Sequence, residues 1–185
     1  MKKILLLLIA TLSFAHLHSQ EDSGIYYNGD KLGYSRVIGK NVGNLAGAYF
    51  TLGLSAAKSN KVIEGESAEL EIEKGKPEFE IIFGEDKQTD YIFTDEKNMD
   101  NILLIQLLEK KNNRNLRTGK YGLTEVKIGV DEKYVIPLAI EKIEPNKYKV
   151  HPKKKLGKGE YCFYYMGKPQ NEEDTFNGVF DFSIK

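Results

Sequence analysis

Through much of this chain apolar residues recur at every second position, and that period fixes the fold class before any motif is considered. VFDFSIK (179–185) sets Phe180, Phe182 and Ile184 on one face of a strand and Asp181 and Ser183 on the other. AELEIEKGKPEFEIIFG (68–84) reads as a hairpin. Ala68, Leu70 and Ile72 point inward, Glu69, Glu71 and Glu73 outward, and Gly75-Lys76-Pro77 turns into a second strand over 79–83. GIYYNGDKLGYSRVIG (24–39) folds back at Asn28-Gly29, a dipeptide that supplies the positive φ angles of a tight turn. YVIPLAIEKIEPNKYKVHP (134–152) gives two strands around Pro145-Asn146, the first confined to an edge or a bulge by Pro137. The run ILLIQLL (102–108) is either a helix starting near 95–100 or a buried strand; its length and the polar EKKNNRN after it favour strand. The count is eight to ten short strands with little helix. The expected fold is all-β, a single antiparallel β-sandwich or a partly closed barrel. No internal repeat, proline-rich linker or second-domain boundary interrupts it.

The first residues stand outside this pattern. Lys2 and Lys3 precede twelve uncharged residues (4–15), a length that suits a secretory leader and is short for a membrane span of about 20 residues. Cleavage after Ser19 leaves a short polar region before the cut and is preferred to cleavage after Ala15. The expected organisation is a signal peptide over 1–19 and one β domain over 20–185. No cysteine follows the apolar run, so a lipid anchor is not expected. The protein should be periplasmic or secreted, with no stable membrane span after cleavage.

Removal of the leader changes the chemical inventory. It carries two of the 27 basic residues and none of the 27 acidic ones, so the remainder has 25 and 27, a formal charge of −2. Nothing in that balance favours nucleic acid. His16 and His18 leave with the leader, and His151 becomes the one histidine beside the one cysteine, Cys162. An intramolecular disulfide is then impossible, and a zinc site of the usual His/Cys kind lacks ligands. A Ser-His-Asp triad would have to use His151, and no G-x-S-x-G elbow is present. No cofactor, metal site or catalytic residue is assigned. The acidic loop GEDKQTDYIFTDEKNMDN (84–101) offers hard oxygen ligands for calcium without EF-hand spacing, and a plain acidic loop is the preferred reading.

The stretch KKKLGKGEYCFYY (153–165) joins a lysine run to the cysteine. Within it Leu156, Gly159 and Tyr161 form L-x-x-G-x-Y just ahead of a strand. The pattern resembles the tyrosine corner of immunoglobulin-like sandwiches. That resemblance implies a Tyr161 ring in the core, a hydroxyl bonded to main chain a few residues upstream, and structural roles for Leu156, Gly159 and Tyr161. Cys162 follows the tyrosine by one residue, not two, and has no partner cysteine. The segments over 77–184 are also similar to uncharacterised secreted bacterial β-proteins, a resemblance that implies no activity. Cys162 reads as a buried, inert thiol, because Lys147, Lys149, His151 and Lys153 share one strand face and leave it no suitable base.

Charge is segregated along the chain. Over 64–96 the net charge is −9, and over 145–158 it is +6. Such separation can steer a charged partner, and lysines at a sheet edge also discourage edge pairing. The candidate binding residues are therefore Lys147, Lys149, His151, Lys153, Lys154 and Lys155. Residues 41–57 (NVGNLAGAYFTLGLSAA) are uncharged and glycine-rich; a buried strand or packed loop is expected, with a membrane-inserting segment as the alternative. The functional expectation is an exported, non-catalytic binding or interaction module. Its partner would be an unidentified protein, glycan or envelope component. The alternative is a carboxylate-based hydrolase acting on a glycan or cell-envelope polymer.

Overall fold

The computed structural model describes residues 22–52, 54–84, 98–123, 126–166 and 178–185. The leader at 1–19 and nearly all of the acidic loop, 85–97, lie outside the described residues. In chain order the strands are β1 (Gly24–Tyr27), β2 (Asp30–Lys31), β3 (Tyr34–Gly43), β4 (Ala57–Glu64), β5 (Glu71–Ile72), β6 (Phe79–Ile82), β7 (Ile102–Gln106) and β8 (Leu108–Glu109). They continue with β9 (Asn113–Tyr121), β10 (Val126–Ile128), β11 (Val135–Ile136), β12 (Leu138–Glu144), β13 (Lys147–Pro152), β14 (Gly159–Tyr165) and β15 (Gly178–Ile184). Among the described residues one α-helix, α1 (Leu45–Phe50), lies between β3 and β4. The fold is all-β, as the alternation requires. Five of the strands are only two or three residues long, too short to carry a period, which is why the pattern yields a lower count.

One sheet runs β12-β13-β6-β1-β2, and the other β10-β9-β4-β3-β15-β14-β7-β11. Pairing is antiparallel except where β5 lies parallel to β15. The β1–β2 hairpin turns at Asn28 and Gly29, both at positive φ (52° and 87°). Proline 137 separates β11, which pairs with β7, from β12 at the edge of the other sheet. It marks a switch of sheets as well as the edge. Residues 102–106 form the strand β7, paired with β14.

Two expectations are corrected. Residues 68–84 keep their expected facing at the first strand, with Ala68 and Ile72 buried and the three glutamates exposed, but they form no hairpin. β5 joins β15, whereas β6 pairs with β1 and β13 in the opposite sheet. Proline 77 has no N–H for a ladder. The connecting segment instead crosses between sheets, and the Leu156 N–H is bonded to the Gly75 carbonyl (2.8 Å). The second correction concerns β15. Its alternate faces are both buried, because the larger sheet curls into a half-barrel. Phe180, Phe182 and Ile184 join Phe79, Ile81, Tyr161 and Phe163 between the sheets. Val179 faces a second apolar cluster of Ile63, Ile105, Leu107, Leu116 and Cys162 inside the curl.

The corner takes the geometry its sequence implies. Leu156 is buried, Gly159 sits at φ 149°, and the Tyr161 hydroxyl donates to the Gly157 carbonyl at 3.0 Å. The Tyr161 ring stacks on Phe182, with centroids 5.6 Å apart. This bond pins the crossing from β13 into β14. Lys153 is held by its own N–H on the Pro137 carbonyl (2.9 Å), so both inter-sheet crossings are tied at this end.

Candidate functional site

The concave site is built by β4, β9 and β10 together with the segment that follows β10. Lys58 lies opposite Lys120, and Lys120 opposite Lys127, so three lysines form one cross-strand row. Like charges set directly opposite one another destabilise a sheet. Between Ser59 and Asn60 the β4–β9 register shifts, and Asn60 faces Arg117 while Ser59 faces Gly119. The extra residue, Thr118, lets Arg117 and Lys120 project to the same side despite their odd spacing. The next segment is clipped onto this bulge by the Gly129 N–H on the Thr118 carbonyl (3.0 Å) and the Asp131 N–H on the Arg117 carbonyl (3.2 Å). Gly129 adopts φ 108°, a backbone conformation that disfavours side chains. A 3₁₀ turn, Glu132–Tyr134, is capped by the Asp131 carboxylate on the Lys133 N–H (3.2 Å) and brings Lys133 over the Tyr134 ring.

These pieces enclose a cavity of about 270 Å³. Its lining carries five cationic side chains, Lys58, Arg117, Lys120, Lys127 and Lys133, and one carboxylate, Asp131. Arg117 Nε is buried with no hydrogen-bond partner among the described residues. A pocket of this size and charge suits one anionic group, held by charge-assisted hydrogen bonds. Among the described residues its lining includes no thiol or imidazole.

The residues singled out from sequence lie elsewhere. Lys147, Lys149 and His151 are on β13, and Lys153, Lys154 and Lys155 are exposed on the connection after it. Lys147 is 3.2 Å from the Glu80 carboxylate and Lys149 3.0 Å from Glu78. The Glu78 hydrogen bond and charge push the Lys149 ammonium above its ordinary value. The basic and acidic blocks, far apart in sequence, are thus neighbours across β13 and β6, and part of the apparent segregation cancels in space. His151 is half-buried, its Nδ1 3.3 Å from the Pro152 carbonyl oxygen.

A second polar constellation is structural. Arg114 is fully buried and directs Nη1 at both Glu160 (3.4 Å) and Asp181, Nη2 at the Glu64 carbonyl (2.6 Å) and Nε at the Gly65 carbonyl (3.2 Å). Glu160 also accepts from the Ala68 N–H (2.8 Å), and Asp181 from the Ser35 hydroxyl (2.9 Å). Burial pushes the Glu160 carboxyl above its ordinary range, against the Ala68 N–H and Arg114, which pull it down. Glu160 and Asp181 are thus buried acids with a cationic partner. Arg114 was hidden in the polar run EKKNNRN, which is half strand, and its acids lie 46 and 67 residues downstream. Neither acid lines the cavity. Cys162 is buried beside this network, and burial holds its thiol well above the ordinary value, with Asp181 adding to the effect.

Among the described residues no group of three His, Cys, Asp or Glu side chains is placed to hold a metal ion. No helix among them is long and apolar enough to cross a membrane. Comparison of the chain with protein-family models, with curated proteins and with solved structures yields no match.

Proposed function

We propose that the chain is an exported, non-catalytic binding module whose ligand presents an anionic group, such as a phosphate or carboxylate of a glycan or envelope component, to the cavity around Arg117. An immunoglobulin-like sandwich, suggested by the tyrosine corner, would serve as its scaffold, and the 1–19 leader would deliver it to the periplasm or beyond. The observation that carries the reading is the convergence of five cations and one carboxylate on a single concavity, two of them brought together by a bulge. The candidate lysines on and after β13 fit a ligand less well, because two are already engaged by glutamates. The hydrolase alternative needs two accessible carboxylates, and the buried pair Glu160 and Asp181 does not supply them, being committed to Arg114.

The test uses inorganic pyrophosphate as the probe in calorimetric titrations of residues 20–185. Binding should weaken as salt rises. Arg117→Gln should weaken it about tenfold or more, the usual worth of one charge-assisted hydrogen bond. Equal affinity of the parent and Arg117→Gln proteins, or no binding at low salt, would sink the reading.

A further inference from the structure

The β3–β4 connection is where the structure departs furthest from what a soluble hairpin needs. Residues 41–57 carry no charge and are bracketed by Lys40 and Lys58. They were expected to be packed, yet α1 has no buried residue. Tyr49, Phe50 and Leu52 are each more than 80% exposed, and Leu45 and Leu54 are exposed beside them. β4 and β9 are antiparallel, with Ala57 opposite Tyr121, so the β9–β10 tip emerges at the same end and adds an exposed Leu123.

Many backbone groups of the described part of this tip are bonded within it. The Ala48 N–H donates to Asn44, Thr51 to Gly47, Leu52 to Tyr49 and Leu54 to Thr51, all within 3.1 Å. Thr51 Oγ1 donates to the Gly47 carbonyl and accepts from the Ser55 N–H, while Asn44 Nδ2 closes the loop on the Ala56 carbonyl. A segment wired this way can leave water with fewer polar groups stranded. Leu52 is held at φ 49°, where a bulky side chain is strained, and in that conformation it projects into solvent. Strain spent to expose an apolar side chain has no benefit for the isolated fold.

We propose that this end of the larger sheet docks on an anionic bilayer, with the α1 tip entering the headgroup–acyl boundary and the lysine row behind it meeting lipid phosphates. The composition is that of an interfacial anchor: leucines and aromatic rings in front and cations at the flank. Charge complementarity selects this occupant over a second copy. A symmetric contact between two tips would bring two rows of Lys58, Lys120 and Lys127 together. The docking shares Lys58, Lys120 and Lys127 with the cavity, but its apolar contact, Tyr49, Phe50 and Leu52, lies outside the cavity lining, and Arg117 belongs to the cavity alone.

Flotation of residues 20–185 with vesicles of phosphatidylcholine containing about 30% phosphatidylglycerol tests it. The parent protein should float with these vesicles and far less with phosphatidylcholine alone. Tyr49→Ser, Phe50→Ser and Leu52→Ser combined should lower partitioning by tenfold or more while circular dichroism stays unchanged. Lys58→Gln with Lys127→Gln should lower it about fivefold per charge and flatten its salt dependence. Arg117→Gln should still float, so a failure of the cavity reading leaves this one intact. Equal flotation of the tip variant, or loss of flotation in Arg117→Gln alone, overturns the proposal. So does light scattering that shows a parent oligomer made monomeric by the tip changes, since the tip would then join copies of the chain.

Discussion

The centre of the larger sheet and its free end invert each other's chemistry. Along β14 and β15 charged groups are buried and each is matched: Arg114 spends its guanidinium on two carboxylates and two carbonyls. At the β3–β4 and β9–β10 tips apolar groups are exposed, and the cations stand in a row behind them. The centre resolves its polar atoms inside the protein. The end leaves its apolar side chains exposed to solvent. The contrast separates residues that hold the fold from residues that use it.

The largest effect that would break this division is at Arg114. Arg114→Met strands Glu160 and Asp181 in the core, and the loss should be about 3–5 kcal/mol in urea unfolding. Adding Glu160→Gln and Asp181→Asn to the same protein should cost less than the single change, since the stranded charges are then gone. If the triple variant is as damaged as the single one, the carbonyl bonds of Gly65 and Glu64, not the charges, hold the centre. Next is Tyr161→Phe, which removes the hydroxyl donated to Gly157 and should cost about 1–3 kcal/mol if that carbonyl is left unsatisfied. An unchanged unfolding midpoint would refute the corner.

Cys162 gives the centre a pH signature. Its folded value is raised well above the unfolded value of 9.0, so its contribution is complete below that pH. As pH rises from there towards the folded value, the unfolded chain ionises and the folded chain does not. Stability should fall with a slope approaching about 1.4 kcal/mol per pH unit. Tyr161, also raised by burial, would act in the same direction at higher pH. Cys162→Ala should flatten the alkaline limb near pH 9 to 10, and the native thiol should react with a disulfide reagent only as fast as the protein unfolds. Rapid modification of the folded protein would show that the thiol is reachable.

How much of this was legible in the sequence follows from the range of each interaction. Alternation and Asn28-Gly29 are local, and they located the core faces, the β1–β2 turn and the β12–β13 pair. Leu156, Gly159 and Tyr161 span six residues and forecast a bond over four. What the sequence withheld was pairing across distance. β5 and β6 look like partners and belong to opposite sheets, because β15, over a hundred residues later, takes β5. The cavity was illegible for the same reason: Lys58, Arg117, Lys127 and Lys133 form no run and meet only through β4–β9–β10 register. The visible lysine run, 153–155, drew attention to a surface, while the invisible cluster formed a cavity.

The smallest expected effect sharpens the comparison most, because its sign is opposite to that at the centre. Leu52→Gly replaces a residue strained at φ 49° with one that adopts this conformation freely. Its side chain is 83% exposed and packs on little. Stability should therefore rise, by about 0.5–1 kcal/mol once the greater freedom of glycine in the unfolded chain is set against the relief of strain. A left-handed leucine that lowers stability persists only where surrounding structure or function demands it. The same substitution should reduce flotation with anionic vesicles, since it removes an apolar side chain from the proposed tip. At Arg114 a substitution costs stability and touches no outside contact; at Leu52 it should add stability and cost the outside contact. Thermal unfolding and vesicle partitioning of one protein then decide the matter. A Leu52→Gly protein that is destabilised would mean that the side chain packs on the tip, and the end of the sheet would be structural after all.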